Sequence, residues 1–118
     1  MILLYHRHWD EFVTREDFVT LSEAGISHIR IPVPYWMWDV SADEPFPPPP
    51  ASDDEGMRFF LKRAAKWCDE IGLKFLLDLH GAPGSQNGFD NSGRRGEVNW
   101  VPAEGDDHSN VDRLAKYL

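Results

Sequence analysis

Apolar residues recur along this chain in two alternating periods. From Met57, the positions Phe60, Leu61, Ala64, Ala65, Cys68 and Ile71 follow helical spacing, while Lys62, Arg63 and Lys66 fall mainly elsewhere. A shorter stripe of Phe18, Leu21 and Ala24 precedes Gly25, and Val111, Leu114, Ala115 and Leu118 form a third. Each stripe follows a Ser or Thr that has an acid three residues further on: Thr14 with Asp17, Ser52 with Glu55, and Ser109 with Asp112. Such pairs satisfy the orphan N–H groups of a helix start. Gly25 and Gly72 supply the ends of the first two helices. Directly after each glycine the period falls to two. "ISHIRIPV" (26–33) sets Ile29, Ile31 and Val33 against His28, Arg30 and Pro32, and "LKFLLDLH" (73–80) is nearly continuous apolar sequence. Runs of that kind suit strands covered on both faces, as in parallel sheets. The predicted order is helix, strand, helix, strand, helix.

The connections are unequal. Helix to strand takes about one glycine, whereas the strand-to-helix loops span 34–51 and 81–109, far beyond the ~2 to 6 residues usual for such turns. Both long loops leave the carboxyl ends of strands, where open parallel sheets and (β/α)₈ barrels bind ligands. "PFPPPP" (45–50) has P-x-x-P spacing but no neighbouring base, and it reads as a stiff polyproline spacer ahead of a helix.

Composition narrows the partners. The 118 residues are 42% hydrophobic and 13% aromatic, which suits one globular core. Twelve basic against twenty acidic residues give a net charge of −8. No basic cluster exceeds Arg94 and Arg95, so nucleic acid is not expected as a partner. The single cysteine, Cys68, falls on the apolar helix face and reads as a buried hydrophobe. The start, "MILLYHRH", has too few apolar residues for a signal-peptide core, and no membrane-spanning run occurs.

Several chemistries fail on inspection. The loop from Gly81 to Gly96 holds neither a dinucleotide nor a P-loop fingerprint, and Ser85 and Ser92 lie outside any G-x-S-x-G elbow. His6 and His8 lack a further ligand set, so they are expected at the surface and no metal is expected. What remains is polar and aromatic. Asp78 and His80 share one side of the second strand, and Arg30 takes the same kind of place on the first; an isolated arginine there would read as half of a structural ion pair. Tyr35, Trp36 and Trp38 crowd the first loop, and Phe89 and Trp100 the second. Such rings either anchor loops as core or, edged by Gln86, Asn87, Asp90 and Asn91, form a wall for a sugar whose faces are apolar and whose rim is hydroxyl. Sugar binding is the best single chemical reading.

"HWDEFVTREDF", "GISHIRIPVPYW" and above all "DLHGAPGSQNGFDNSG" resemble the exo-β-1,3-glucanases of glycoside hydrolase family 5, from His8 onward. The resemblance implies a TIM barrel of which residues 1–118 form a partial domain, about the second and third β/α units. It also implies retaining hydrolysis of β-1,3-glucan without a cofactor, and an extracellular or cell-surface location. Arg30 matches the family's active-site arginine and His80 the histidine contacting the sugar being cleaved. Asn91 matches a polar contact in the adjoining subsite, and Phe89 one half of an aromatic clamp. With Tyr35, Asn87 and Asp90 these make the expected substrate-binding set. Pro34 stands where the family usually has glycine, so a different bend is expected after that strand.

Retaining glycosidases need two carboxyls roughly 5 to 5.5 Å apart. In this family both are glutamates on later strands, the first within Asn-Glu-Pro, a triplet this chain lacks. Glu44 and Pro45 come nearest, inside the proline-rich spacer. A complete barrel takes about 250 residues. The chain alone is therefore expected to be inactive, supplying substrate-positioning residues. The alternative is a truncated protein that at most binds sugar, and an Asn-Glu-Pro in a longer reading frame separates the two.

Overall fold

The computed structural model describes residues 2–52, 54–101 and 109–116. Its main elements are α1 (Ile2–Glu11), α2 (Arg15–Glu23), β1 (His28–Pro34), α3 (Gly56–Ile71), β2 (Lys74–Gly81) and α4 (Ser109–Ala115). β1 and β2 pair in a two-stranded sheet. The Lys74 N–H donates to the Ser27 carbonyl at 2.8 Å, so the strands start side by side and run parallel across the α3 crossover. The chain divides into two compact units, residues 1–31 with 50–76, and residues 32–49 with 77–118.

The first unit is built on an apolar core. Phe18, Cys68 and Leu73 are buried together, with Ile29, Ala64, Trp67, Ile71 and Phe75 packed against them. The α3 stripe read from the sequence is the stripe that packs, and the Phe18 and Trp67 rings meet edge to face at 5.4 Å. Burial pushes the Cys68 thiol above its ordinary pKa, as befits a packed hydrophobe. At the start of α2, the Asp17 carboxylate accepts the Thr14 N–H at 2.7 Å and the Thr14 hydroxyl at 2.9 Å. The Thr14 backbone bond, helped by the hydroxyl, holds the Asp17 carboxyl below its ordinary pKa.

Three expectations needed correction. α1 was not foreseen; it is tied in where Arg63 donates to Asp10 Oδ1 at 2.6 Å and to the Trp9 carbonyl at 3.0 Å. Arg63 is thus half-buried, lying over the Phe60 and Trp67 rings at 4.5 and 4.9 Å. Second, α3 begins at Gly56, with Glu55 as its N-cap and no side-chain capping bond. The Ser52 hydroxyl accepts the Asp54 N–H at 3.1 Å instead, while Arg58 holds the Pro50 carbonyl and fastens the end of the proline run to the first turn. Third, β1 runs through Pro34, and Tyr35–Met37 then turn as a short 3₁₀ helix. The helix at the third predicted cap starts at Ser109 itself; the capping role of the Ser109 side chain lies outside the described residues. His8 is exposed and stacks on Phe12 at 4.7 Å, and the His6 side chain lies outside the described residues.

Candidate functional site

The second unit holds most of the expected site residues, and polar contacts build it. Trp36 stacks on Phe46 with ring centroids 3.9 Å apart and planes 4° from parallel, so the proline-rich segment is anchored by its one aromatic residue. Gly81 and Gly93 lie against the Trp36 ring: a Cβ on Gly81 would sit 2.9 Å from it, and one on Gly93 would collide with it outright. Gly93 also has φ of +91°, open to glycine at little cost. Trp36 therefore wedges between the end of β2 and the loop that carries Phe89 and Asn91.

That loop is internally braced. The Gly88 N–H donates to Ser85 Oγ at 2.9 Å, and Ser92 Oγ donates to the Phe89 carbonyl at 2.6 Å. With the Ser92 proton committed, Ser85 donates across the 2.6 Å gap to Ser92. Both serines are buried, so the relay satisfies groups that would be costly to leave unpaired. Asn87 spends its amide inside the loop as well, accepting the Phe89 N–H at 3.0 Å and donating to Asn91 Oδ1 at 3.1 Å. Against this order one ring stays outside: Phe89 is 63% exposed. Asp90 and Asn91 are exposed beside it, in a 3₁₀ turn from Asp90 to Ser92.

At the end of β2, His80 Nδ1 and Asp78 Oδ2 lie 2.9 Å apart, as their shared strand face requires. Gln86 fixes the backbone there, donating to the His80 carbonyl at 2.6 Å and accepting the Ala82 N–H at 3.0 Å. Arg30 lies exposed on β1, in the first unit.

Tyr35 has a different place from the one its loop position suggested. It is buried, its hydroxyl bonds Glu44, and Arg113 lies over its ring at 5.1 Å. Arg113 donates to both Glu44 oxygens at 2.8 and 2.9 Å and to Asp39 Oδ2 at 2.6 Å. The Arg113 and Glu44 side chains are only 12% and 10% exposed. Burial disfavours the Glu44 charge, but the Arg113 fork, the Ser41 N–H and the Tyr35 hydroxyl outweigh it and hold the carboxyl below its ordinary pKa. Burial first, and then the bond to Glu44, push the Tyr35 phenol up. The bond to Glu44 leads in raising Arg113. Sequence reasoning missed this cluster. Its only sign was an acid in "DEP", read as part of a spacer. The cluster lines a cleft of about 460 Å³ within this unit, together with Ser85, Arg94 and Asn99. Among the described residues no group of three or more His, Cys, Asp or Glu is placed to hold a metal ion.

A glucan 1,3-beta-glucosidase of Blumeria graminis is 41% identical over 113 residues, 96% of this chain. A probable glucan 1,3-beta-glucosidase A of Aspergillus terreus is 50% identical over 93 residues, and the glucan 1,3-beta-glucosidase of Pichia angusta 43% over 98. The chain is a relative of the glucan 1,3-beta-glucosidases. It spans about a fifth of their length, 24% of the first and 21% of the other two. No family model matches it. Among solved structures, a rutinosidase from Aspergillus niger superposes over 97% of this chain and 31% of its own, with TM-score 0.68 at 25% identity. The structure titled AoRut does so over 97% and 29%, with TM-score 0.74 at 23% identity. No helix among the described residues is long and apolar enough to cross a membrane.

Proposed function

We infer that this chain is a segment of a family 5 exo-β-1,3-glucanase barrel, about its second and third β/α units, contributing substrate-positioning side chains to a catalytic pair carried elsewhere. The observation that carries the reading is the contrast within one loop: Ser85, Asn87 and Ser92 are held by hydrogen bonds around Phe89 while the Phe89 ring is left 63% exposed. An apolar ring presented outward from a hydrogen-bonded turn is a stacking platform for a sugar. The apolar strand residue Leu76 is 56% exposed, as expected of strands that the rest of a barrel would cover. Arg30, His80, Asp90 and Asn91 complete the sugar contacts in this reading. Asn87 braces them, and Tyr35 acts beneath the site through Glu44 instead of touching sugar.

The substrate is β-1,3-glucan, and the chain alone releases no glucose from it. In a full-length protein carrying this segment, Phe89→Ala weakens kcat/KM for long glucans more than for a small aryl glucoside, which never reaches the ring. His80→Ala lowers turnover on both, because it disturbs positioning at the reacting centre. Equal losses for Phe89→Ala on both substrates would overturn the stacking role.

A further inference from the structure

We propose that Asp78 is a positioning residue that fixes the tautomer of His80, so that His80 meets a sugar hydroxyl as a hydrogen-bond acceptor. The 2.9 Å contact runs from His80 Nδ1 to Asp78 Oδ2. A carboxylate offers only lone pairs, so the nitrogen facing it carries the proton. In a neutral imidazole the other nitrogen, Nε2, then has the lone pair. A free histidine side chain favours the opposite arrangement, with the proton on Nε2. The two residues lie on one strand with their side chains on the same face, and Gln86 pins the intervening backbone through the His80 carbonyl and the Ala82 N–H. The ring is thereby held in orientation as well as in protonation.

His28 provides the contrast inside the same chain. Its Nδ1 lies 2.8 Å from Ser27 Oγ, a hydroxyl that can give or take a proton, and so that contact dictates no tautomer. The difference between the histidines is the partner and not the distance.

The assignment concerns the protein alone; its consequence for sugar rests on the glucanase reading. In that tautomer the uncharged form of the ring offers Nε2 as an acceptor to a ligand that presents a hydroxyl proton.

The test is two-bond ¹H–¹⁵N correlation on the chain labelled at histidine, recorded near pH 8.5, well above the ~6.5 at which an ordinary imidazole protonates. His80→Gln assigns the signals. The expected result is Nδ1–H with unprotonated Nε2 for His80 and a mixture for His28. In Asp78→Asn, whose amide can donate as well as accept, His80 shifts to a mixture. A predominantly Nε2–H His80 in a folded parent protein, one whose amide signals are dispersed, overturns the proposal by itself, whether or not the variant folds. So does an unchanged His80 pattern in folded Asp78→Asn. Nδ1–H in a full-length protein carrying this segment that neither binds nor cleaves laminarin oligosaccharides would leave the assignment standing and overturn the glucan reading instead.

Discussion

The two units reach order by opposite means. The first buries Phe18, Cys68 and Leu73 under two helices and keeps charge out of that core, using the half-buried Arg63 to hold α1 against α3 and exposed pairs elsewhere. The second fixes its loops with the Arg113 cluster, the serine relay and one aromatic wedge. Apolar packing is non-directional and tolerates repacking. A polar framework is directional, and each member left without a partner is costly. A surface that must present particular groups at particular angles is better served by the second kind, and that is where the expected sugar contacts other than Arg30 lie.

The largest expected effects come from cutting each framework once. Phe18→Ala should cost about 3–5 kcal/mol through the cavity it leaves, and Arg113→Met a comparable ~3–5 kcal/mol by stranding Glu44. Denaturant unfolding checks both. The comparison turns on rescue: adding Glu44→Leu should return most of the stability lost with Arg113→Met, since replacing both partners of a buried pair by apolar groups is often near neutral. Failure of that rescue would mean the second unit depends on Arg113 for more than charge balance.

Acid should separate the units next. Glu44 is more acidic in the fold than in the unfolded chain, so its contribution is fully present above the unfolded carboxylate pKa and is lost as pH falls through the lower folded value. Amide exchange at residues 35–46 should therefore accelerate below about pH 4.5, the ordinary carboxylate range. Amides around Cys68 should respond far less, because that core holds no titrating carboxyl. The exposed Asp17 cap has the same sign and limits its loss to the start of α2.

Glycines give a finer probe. Gly72 and Gly93 both have positive φ, but a Cβ on Gly72 meets nothing within 4 Å, whereas one on Gly93 strikes Trp36. Gly72→Ala should cost about 1–2 kcal/mol from backbone conformation alone, and Gly93→Ala more, with changed Trp36 fluorescence. At the small end, Glu70→Gln, which removes the exposed contact with Arg15, should change stability by about 0.5 kcal/mol or less. A larger loss would show that the first unit also leans on charge.

What the sequence made legible divides along the same line. The α3 stripe, the α2 cap and both strands were readable because their period or spacing is local, within a few residues. α1 was not, for "ILLYHRHW" has no sustained apolar stripe. The Arg113 and Glu44 pair was invisible for a different reason: its partners are 69 positions apart, and no periodicity encodes which distant charges will meet. Tyr35 shows the same limit. Its place in an aromatic loop suggested a sugar wall, but only the fold reveals that its hydroxyl is bonded to Glu44.

The Ser85–Ser92 relay begins and ends within eight consecutive residues, Gly88 and Phe89 supplying its outer members. The relay itself is local, while the ends of the loop lean on the Trp36 ring against Gly93, on Gln86 at the end of β2 and on the Gly96 N–H bonded to the Gly88 carbonyl. Such a loop behaves as a cassette with a socket: transplanted between strand ends of matching span, it should carry the outward pose of its aromatic ring only if a ring equivalent to Trp36 comes with it. Stacking positions built this way are free to diverge in the ring they display, so long as the aromatic socket beneath the loop is kept.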